Sequence, residues 1–261
     1  MDVLGLTIKT FVTRPSLLPT LTVVTLLAIA LAFTTSVQAS ASGRTASGCR
    51  PGATRKLVTP TRAYAVDVRG LVRAYRRPHG APFARFGRYN VNGVPTVFAA
   101  LEAVMGPRCQ AAWYRVMLPL KPNGRTGYVR ARYVRIRPVR ARILVDLSSR
   151  RLMLFERGRL VLRTRAAVGA RGTPTPVGRF YVNQRFRDDP SGPYGWAAIG
   201  ISAFSEVLTG WPQGGPVAIH GTNRPSLLGL PVSNGCIRVS NPVVQRLWRL
   251  APTGTPVFIR R

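Results

Sequence analysis

The chain has 261 residues, with 39 Lys and Arg against 8 Asp and Glu, 2 His and 3 Cys, for a formal net charge of +31. Of the eight carboxylates only Asp188 and Asp189 are close in sequence, which makes a glycosidase-like acid pair a poor fit. His79, His220, Cys49, Cys109 and Cys236 are scattered singly, whereas a structural zinc site draws four ligands from close pairs, so neither metal nor cofactor is expected. Arg recurs along the whole chain instead of gathering into a patch interleaved with aromatics, which argues against nucleic acid as a partner. An anionic polymer of a cell wall suits the sign of the charge.

At the N-terminus Lys9 and Arg14 precede an apolar stretch, Leu17 to Phe33, followed by small residues and Val37-Gln38-Ala39. Positive, apolar and small residues in that order read as a secretory signal over 1–39, with an uncleaved membrane anchor as the rival; only the latter makes the membrane a partner. The protein is therefore expected outside the cytoplasm, associated with the wall. Cysteines tend to pair there, and Cys49 with Cys109 is the natural disulfide, because Cys236 sits in a glycine-flanked motif. Three buried, reduced thiols are the alternative. Residues 40–61, rich in Ser, Ala, Gly, Thr and Pro, read as a linker.

From 62 to 140 short runs of Val, Tyr, Phe and Leu are broken by Gly, Pro and Asn. Trp113 to Pro119 and Gly127 to Arg130 alternate as half-buried strands do, and Asn123-Gly124 between them signals a tight hairpin turn. The spacing suggests a small barrel of about five strands. Trp113 to Pro119 and Gly124 to Val129 resemble the WYxVxLP and GxxGYV elements of bacterial Src-homology-three-like modules. That likeness implies either a binder of wall peptides or a spacer.

The unit at 141–261 opens with two strands, Ile143 to Leu147 and Arg151 to Phe155, joined at Ser148-Ser149, with a turn at Glu156-Arg157-Gly158. Further strands are expected at Leu160 to Val168, Gly178 to Asn183, Pro216 to His220 and Thr255 to Ile259. One helix is evident: Asn241 can cap it, Pro242 suits its first position, and Val243, Val244, Leu247 and Leu250 recur at helical spacing. The unit is mainly β with one late helix.

This unit also holds the residues suited to chemistry. His220 stands at a strand end, and Cys236 follows in a turn sixteen residues later. A thiol needs a base or a cationic neighbour to become a nucleophile near neutral pH, and His220 is the sole imidazole of this half. Gly235 lets the backbone bend so that the amides of Asn234, Gly235 and Cys236 can face the oxygen of an attacked carbonyl. No acidic residue is nearby in sequence to orient the imidazole, so the carbonyl of Gly221 is the candidate. A structural His and a small apolar Cys would satisfy the same spacing, and residue order decides between these readings.

His220-Gly221-Thr222-Asn223 and Ser233-Asn234-Gly235-Cys236-Ile237-Arg238 resemble the HG(T/N) and S-x-G-C-I-R signature of the L,D-transpeptidases, the YkuD-type catalytic domain of bacterial cell-wall enzymes. Val168-Gly169 with Thr173 to Phe180, the opening hairpin and Gly254-Thr255-Pro256-Val257 match further family elements in order. The resemblance implies a β-sandwich with a mixed six-stranded sheet, and acyl transfer from peptidoglycan stem peptides through Cys236, with His220 as base and acid. It implies 3→3 crosslinks between stems. It makes Arg238 a carboxylate partner or a brace of the Cys loop, with Ser233, Thr222 and Asn223 lining the substrate and Arg224 to Pro231 forming a lid. Many relatives carry His where Asn234 stands. Water in place of the acceptor amine would give an L,D-carboxypeptidase, and an unreactive Cys236 a wall-binding protein without catalysis.

Overall fold

A computed structural model describes residues 50–261. The expected leader at 1–39, the first part of the expected linker and Cys49 lie outside the described residues. The first sheet is antiparallel and contains Thr54–Lys56 (β1), Ala63–Val68 (β2), Val72–Tyr75 (β3), Pro82–Phe86 (β4), Val97–Met105 (β5), Ala111–Met117 (β6), Thr126–Arg130 (β7) and Val134–Val139 (β8). Its order is β4-β3-β7-β6-β5-β2-β8, with β1 beside the far end of β5. Phe98, Val66, Val116 and Val129 fill a core of its own.

Eight strands replace the expected five or so. β1 is exposed throughout, and β4 packs Phe83, Ala84 and Phe86 on the core without strict alternation, so neither shows the pattern that marks a half-buried strand. β1 also falls within the stretch read as linker: it pairs with Val104, Ala103 and Glu102, and Leu57 after it is buried. The β6–β7 connection is longer than a tight turn. It runs from Leu118 to Arg125, whose N–H and C=O close it at 2.8 Å. Asn123 has another task there: its Nδ2 donates to Phe204 O (2.8 Å) while its Oδ1 accepts from Phe204 N (2.9 Å).

The second sheet follows with Ala141–Asp146 (β9), Arg151–Glu156 (β10), Arg159–Arg165 (β11), Val168–Gly169 (β12), Gly178–Arg187 (β13), Ala197–Phe204 (β14), Pro216–His220 (β15), Pro231–Ser233 (β16), Ile237–Arg238 (β17), the helix Asn241–Leu250 (α1) and Pro256–Arg260 (β18). The main sheet has eight strands, not six, ordered β11-β10-β9-β18-β13-β14-β15-β17. β12 and β16 form a separate parallel pair. Two joins in the main sheet are parallel, β9 with β18 and β15 with β17. β13 belongs to both halves of the sheet, since Gly178 to Tyr181 pair with β18 and Val182 to Arg187 with β14. Ile143, Leu152 and Leu154 from one half therefore share a core with Ile199 and Ile219 from the other. Each such fully buried side chain contributes roughly 1.5–3 kcal/mol.

α1 covers this core with Val244 and Leu247, as the helical spacing implies. Its N-cap is Ser240, and Asn241 is the first helical residue, not the cap. The Asn241 carboxamide points sideways, accepting from Trp196 N (3.1 Å) and donating to Pro190 O (3.2 Å).

The two sheets share a seam. Ala63, Ala65, Val97 and Val139 join the second core, and the fully buried Tyr181 packs with Ala99 and Met117. Arg137 on β8 spans the seam: its Nε donates to Asp67 Oδ2 (2.9 Å), and one terminal nitrogen donates to Thr253 O (2.9 Å) and Thr253 Oγ1 (2.7 Å).

Candidate active site

The parallel join of β15 and β17 assembles the site. Ile219 lies beside Ile237 and His220 beside Arg238. Side chains alternate along a strand, so the isoleucines take one face and His220 and Arg238 the other; Cys236, two residues before Arg238, shares their face. The isoleucines are fully buried in the core. The second edge of β17 is secured by Ala167, with Arg238 N donating to Ala167 O (2.8 Å) and Ala167 N to Arg238 O (2.9 Å).

The turn before Cys236 is braced by its own hydroxyl. Ser233 Oγ donates to Cys236 O (2.5 Å) and accepts from Gly235 N (3.2 Å). Ser233 O in turn accepts from Ala170 N and Thr173 Oγ1, both at 2.9 Å. Thr173 thus supports the cysteine turn. Gly235 has φ +105°, a backbone shape costly for any residue with a Cβ. Its amide is already given to Ser233 and is not free for the oxyanion role expected of it.

His220 is 3% exposed, and its Nδ1 lies 2.6 Å from Gly221 O. A carbonyl can only accept, so Nδ1 carries the proton and Nε2 keeps its lone pair. Gly221 has no room for a Cβ, which would collide with Asn241 Oδ1. The ring of Tyr194 meets His220 edge-on at 4.9 Å between centroids. Burial lowers the imidazole to about 4 against the pull of the Gly221 and Tyr194 carbonyls, and Arg238 adds to the lowering. Burial likewise raises the Cys236 thiol, opposed by the Ala218 backbone and Arg238. Both shifts favour the neutral thiol and the neutral imidazole over an ion pair.

His220, Asn234, Cys236 and Arg238 line one cavity of about 130 Å³. Arg238 Nε is buried there without a partner. Thr222 and Asn223 do not line it: Thr222 Oγ1 accepts from Arg224 N (3.0 Å) and Asn223 Nδ2 donates to Ser191 O (2.9 Å), so both are spent on loop structure. Residues 224–231 do not line it either. They lead instead into β16, which pairs with β12, and Gly229 packs against Arg165. The rest of the cavity wall includes Pro193, Tyr194, Ser205, Leu208 and Trp211, which the sequence alone did not point to. Aromatics among glycines, as in Gly192-Pro193-Tyr194-Gly195-Trp196, were the available signal. Cys236 is a free thiol, whereas Cys109 is disulfide-bonded; Cys49, its expected partner, lies outside the described residues.

Residues 140–259 match the L,D-transpeptidase catalytic domain family, YkuD. The proteins named as L,D-transpeptidase YkuD in Bacillus licheniformis and Bacillus subtilis are 40% identical over 120 residues and 36% identical over 121. These matches take in 45% and 46% of this chain and 64% and 65% of the relatives, so the chain spans just under two thirds of their length. Among solved structures, an L,D-transpeptidase of Enterococcus faecium is 26% identical, with 46% of this chain and 49% of that one covered and a TM-score of 0.36. One from Mycobacterium smegmatis is 16% identical, covers 63% of this chain and 90% of that one, and has a TM-score of 0.38.

Proposed function

We propose, on the premise that residues 140–259 are a YkuD-type L,D-transpeptidase catalytic domain, that this protein is a secreted cell-wall enzyme forming 3→3 peptidoglycan crosslinks through an acyl-Cys236 intermediate. The observation that carries this reading is the single cavity lined by Cys236, His220 and Arg238, with the imidazole held by Gly221 O at 2.6 Å so that Nε2 is the free base.

In the first half-reaction Cys236 Sγ attacks the carbonyl of the third stem residue as Nε2 takes the thiol proton. Because burial disfavours charge on both groups, proton transfer accompanies attack instead of preceding it. The amides of Asn234 and Cys236 receive the developing oxyanion. The imidazolium then gives its proton to the departing amine, and D-Ala leaves with its carboxylate on the Arg238 guanidinium, whose buried Nε otherwise lacks an acceptor. In the second half-reaction the side-chain amine of another stem attacks the thioester, loses a proton to Nε2, and the thiol is restored.

Mass spectrometry of muropeptides incubated with the purified protein tests this reading. Cys236→Ala is expected to abolish crosslinked dimers and the acyl adduct at residue 236. Crosslinking undiminished by that change overturns the nucleophile assignment, and a trimmed stem without dimers replaces the acceptor amine with water.

A further inference from the structure

A second cavity is larger than the one at Cys236. It encloses about 560 Å³ between the β4–β5 region of the first sheet and β13–β14 of the second, within the range of ligand sites. We propose that it binds the glycan of peptidoglycan, an uncharged polysaccharide bearing hydroxyl and acetamido groups. The source of that glycan rests on the function proposed above; the binding itself does not.

The lining chemistry is what selects this ligand. Asn90, Asn92, Asn183, Gln184 and Gln213 bring five carboxamides together, with Tyr89 at the rim, 55% exposed. Gln184 Oε1 accepts from Asn90 Nδ2 and Asn92 Nδ2, both at 2.9 Å, and Gln213 Nε2 donates to Asn92 Oδ1 at 2.8 Å. The carboxamides are thereby fixed in orientation before any ligand arrives. Asn183 Oδ1 is buried with no hydrogen-bond partner. A buried acceptor left unpaired is costly, and a sugar hydroxyl or acetamido N–H would satisfy it.

Carboxamides donate and accept, as hydroxyls and acetamido groups do, and an aromatic face covers the apolar side of a pyranose. No Asp or Glu lines the cavity, and its cations are Arg85 and Lys121, the latter lying over the Phe204 ring at 5.8 Å. A polyanion would ask for more. Pro216 lies in the walls of both this cavity and the Cys236 pocket. A sugar held here and a stem held at Cys236 can therefore belong to one substrate molecule.

Calorimetric titration of the whole protein with a β-1,4-linked N-acetylglucosamine tetramer tests the inference. Binding is expected, with Asn183→Leu and Tyr89→Ala each weakening it about tenfold or more while the melting temperature holds. Should Asn183→Leu fail to fold, the exposed Tyr89→Ala decides alone. No binding by the unaltered protein, or equal binding by a folded variant, overturns the proposal, as does equal binding of a glucose tetramer without acetamido groups. Crosslinking of a sugar-free tetrapeptide is expected to be unchanged in both variants. If that reaction fails in the unaltered protein while the tetramer binds, the glycan site stands and the acyl-transfer reading falls.

Discussion

The two sheets have the same number of strands but differ in how those strands are joined. In the first, every partner runs antiparallel, and three of its joins, β3–β4, β5–β6 and β6–β7, link strands adjacent in sequence. The second contains two parallel joins, and a parallel join requires the chain to travel before it returns. That journey is what sets a histidine from one end of β15 beside a cysteine turn from the start of β17. An antiparallel hairpin would have placed sequence neighbours there. The candidate site therefore gathers at a parallel join, a kind of pairing the first sheet lacks.

Changes at the parallel join should cost far more activity than changes in the rest of the molecule. The largest effect is expected from His220→Gln, which loses the base: crosslinking should fall about 10³-fold in muropeptide assays with folding retained. Gly221→Ala comes next. Its new methyl collides with Asn241 Oδ1 and tilts the imidazole off its carbonyl, so turnover should drop about 10²-fold while the thiol still reacts with iodoacetamide.

Titration gives a sharper comparison within the site. Burial holds His220 at about 4, so the acid limb of kcat/KM should fall near pH 4 and not near 6.5, and a limb at 6.5 would contradict the buried, neutral imidazole. The stability consequence has a definite sign. The unfolded chain takes up the proton first, so the contribution of a neutral His220 is full above pH 6.5 and is lost as pH falls through about 4, roughly 3 kcal/mol in all. Urea melts of the unaltered protein and His220→Gln should diverge by that amount across the window.

The smallest effect should come from the seam. Asp67 and Arg137 side chains are each 30% exposed, so Arg137→Met should cost only about 1 kcal/mol in a thermal melt, with activity per folded molecule unchanged. A fall in turnover would mean that the first sheet tunes the site through this clamp.

Much of the site was legible because its chemistry is scarce in the sequence. With two histidines and three cysteines in the whole chain, few residues could serve as base or nucleophile. The hairpin of β9 and β10 and the late helix were legible from alternation and helical spacing. β14 was not: Ala197–Phe204 is buried almost throughout, so it has no polar face to set a period of two. The rest of the cavity wall was hidden because Tyr194 and Trp211 sit in loops that only the tertiary fold brings to the thiol. Thr222 and Asn223 follow His220 in sequence yet bond to loop backbone, and adjacency to His220 does not decide which way a side chain faces. Asn241 looked like a helix cap and serves instead to buttress the loop beside His220.

The paired hydrogen bonds between Asn123 and Phe204 make one side chain of the first sheet act as a neighbouring peptide for the end of β14. A fragment begun at Arg140 would lose that surrogate partner, together with the Ala99 and Met117 surface that buries Tyr181. Grafting this second half onto another module thus calls for transplanting the 97–123 segment too, or for resurfacing what its removal lays bare.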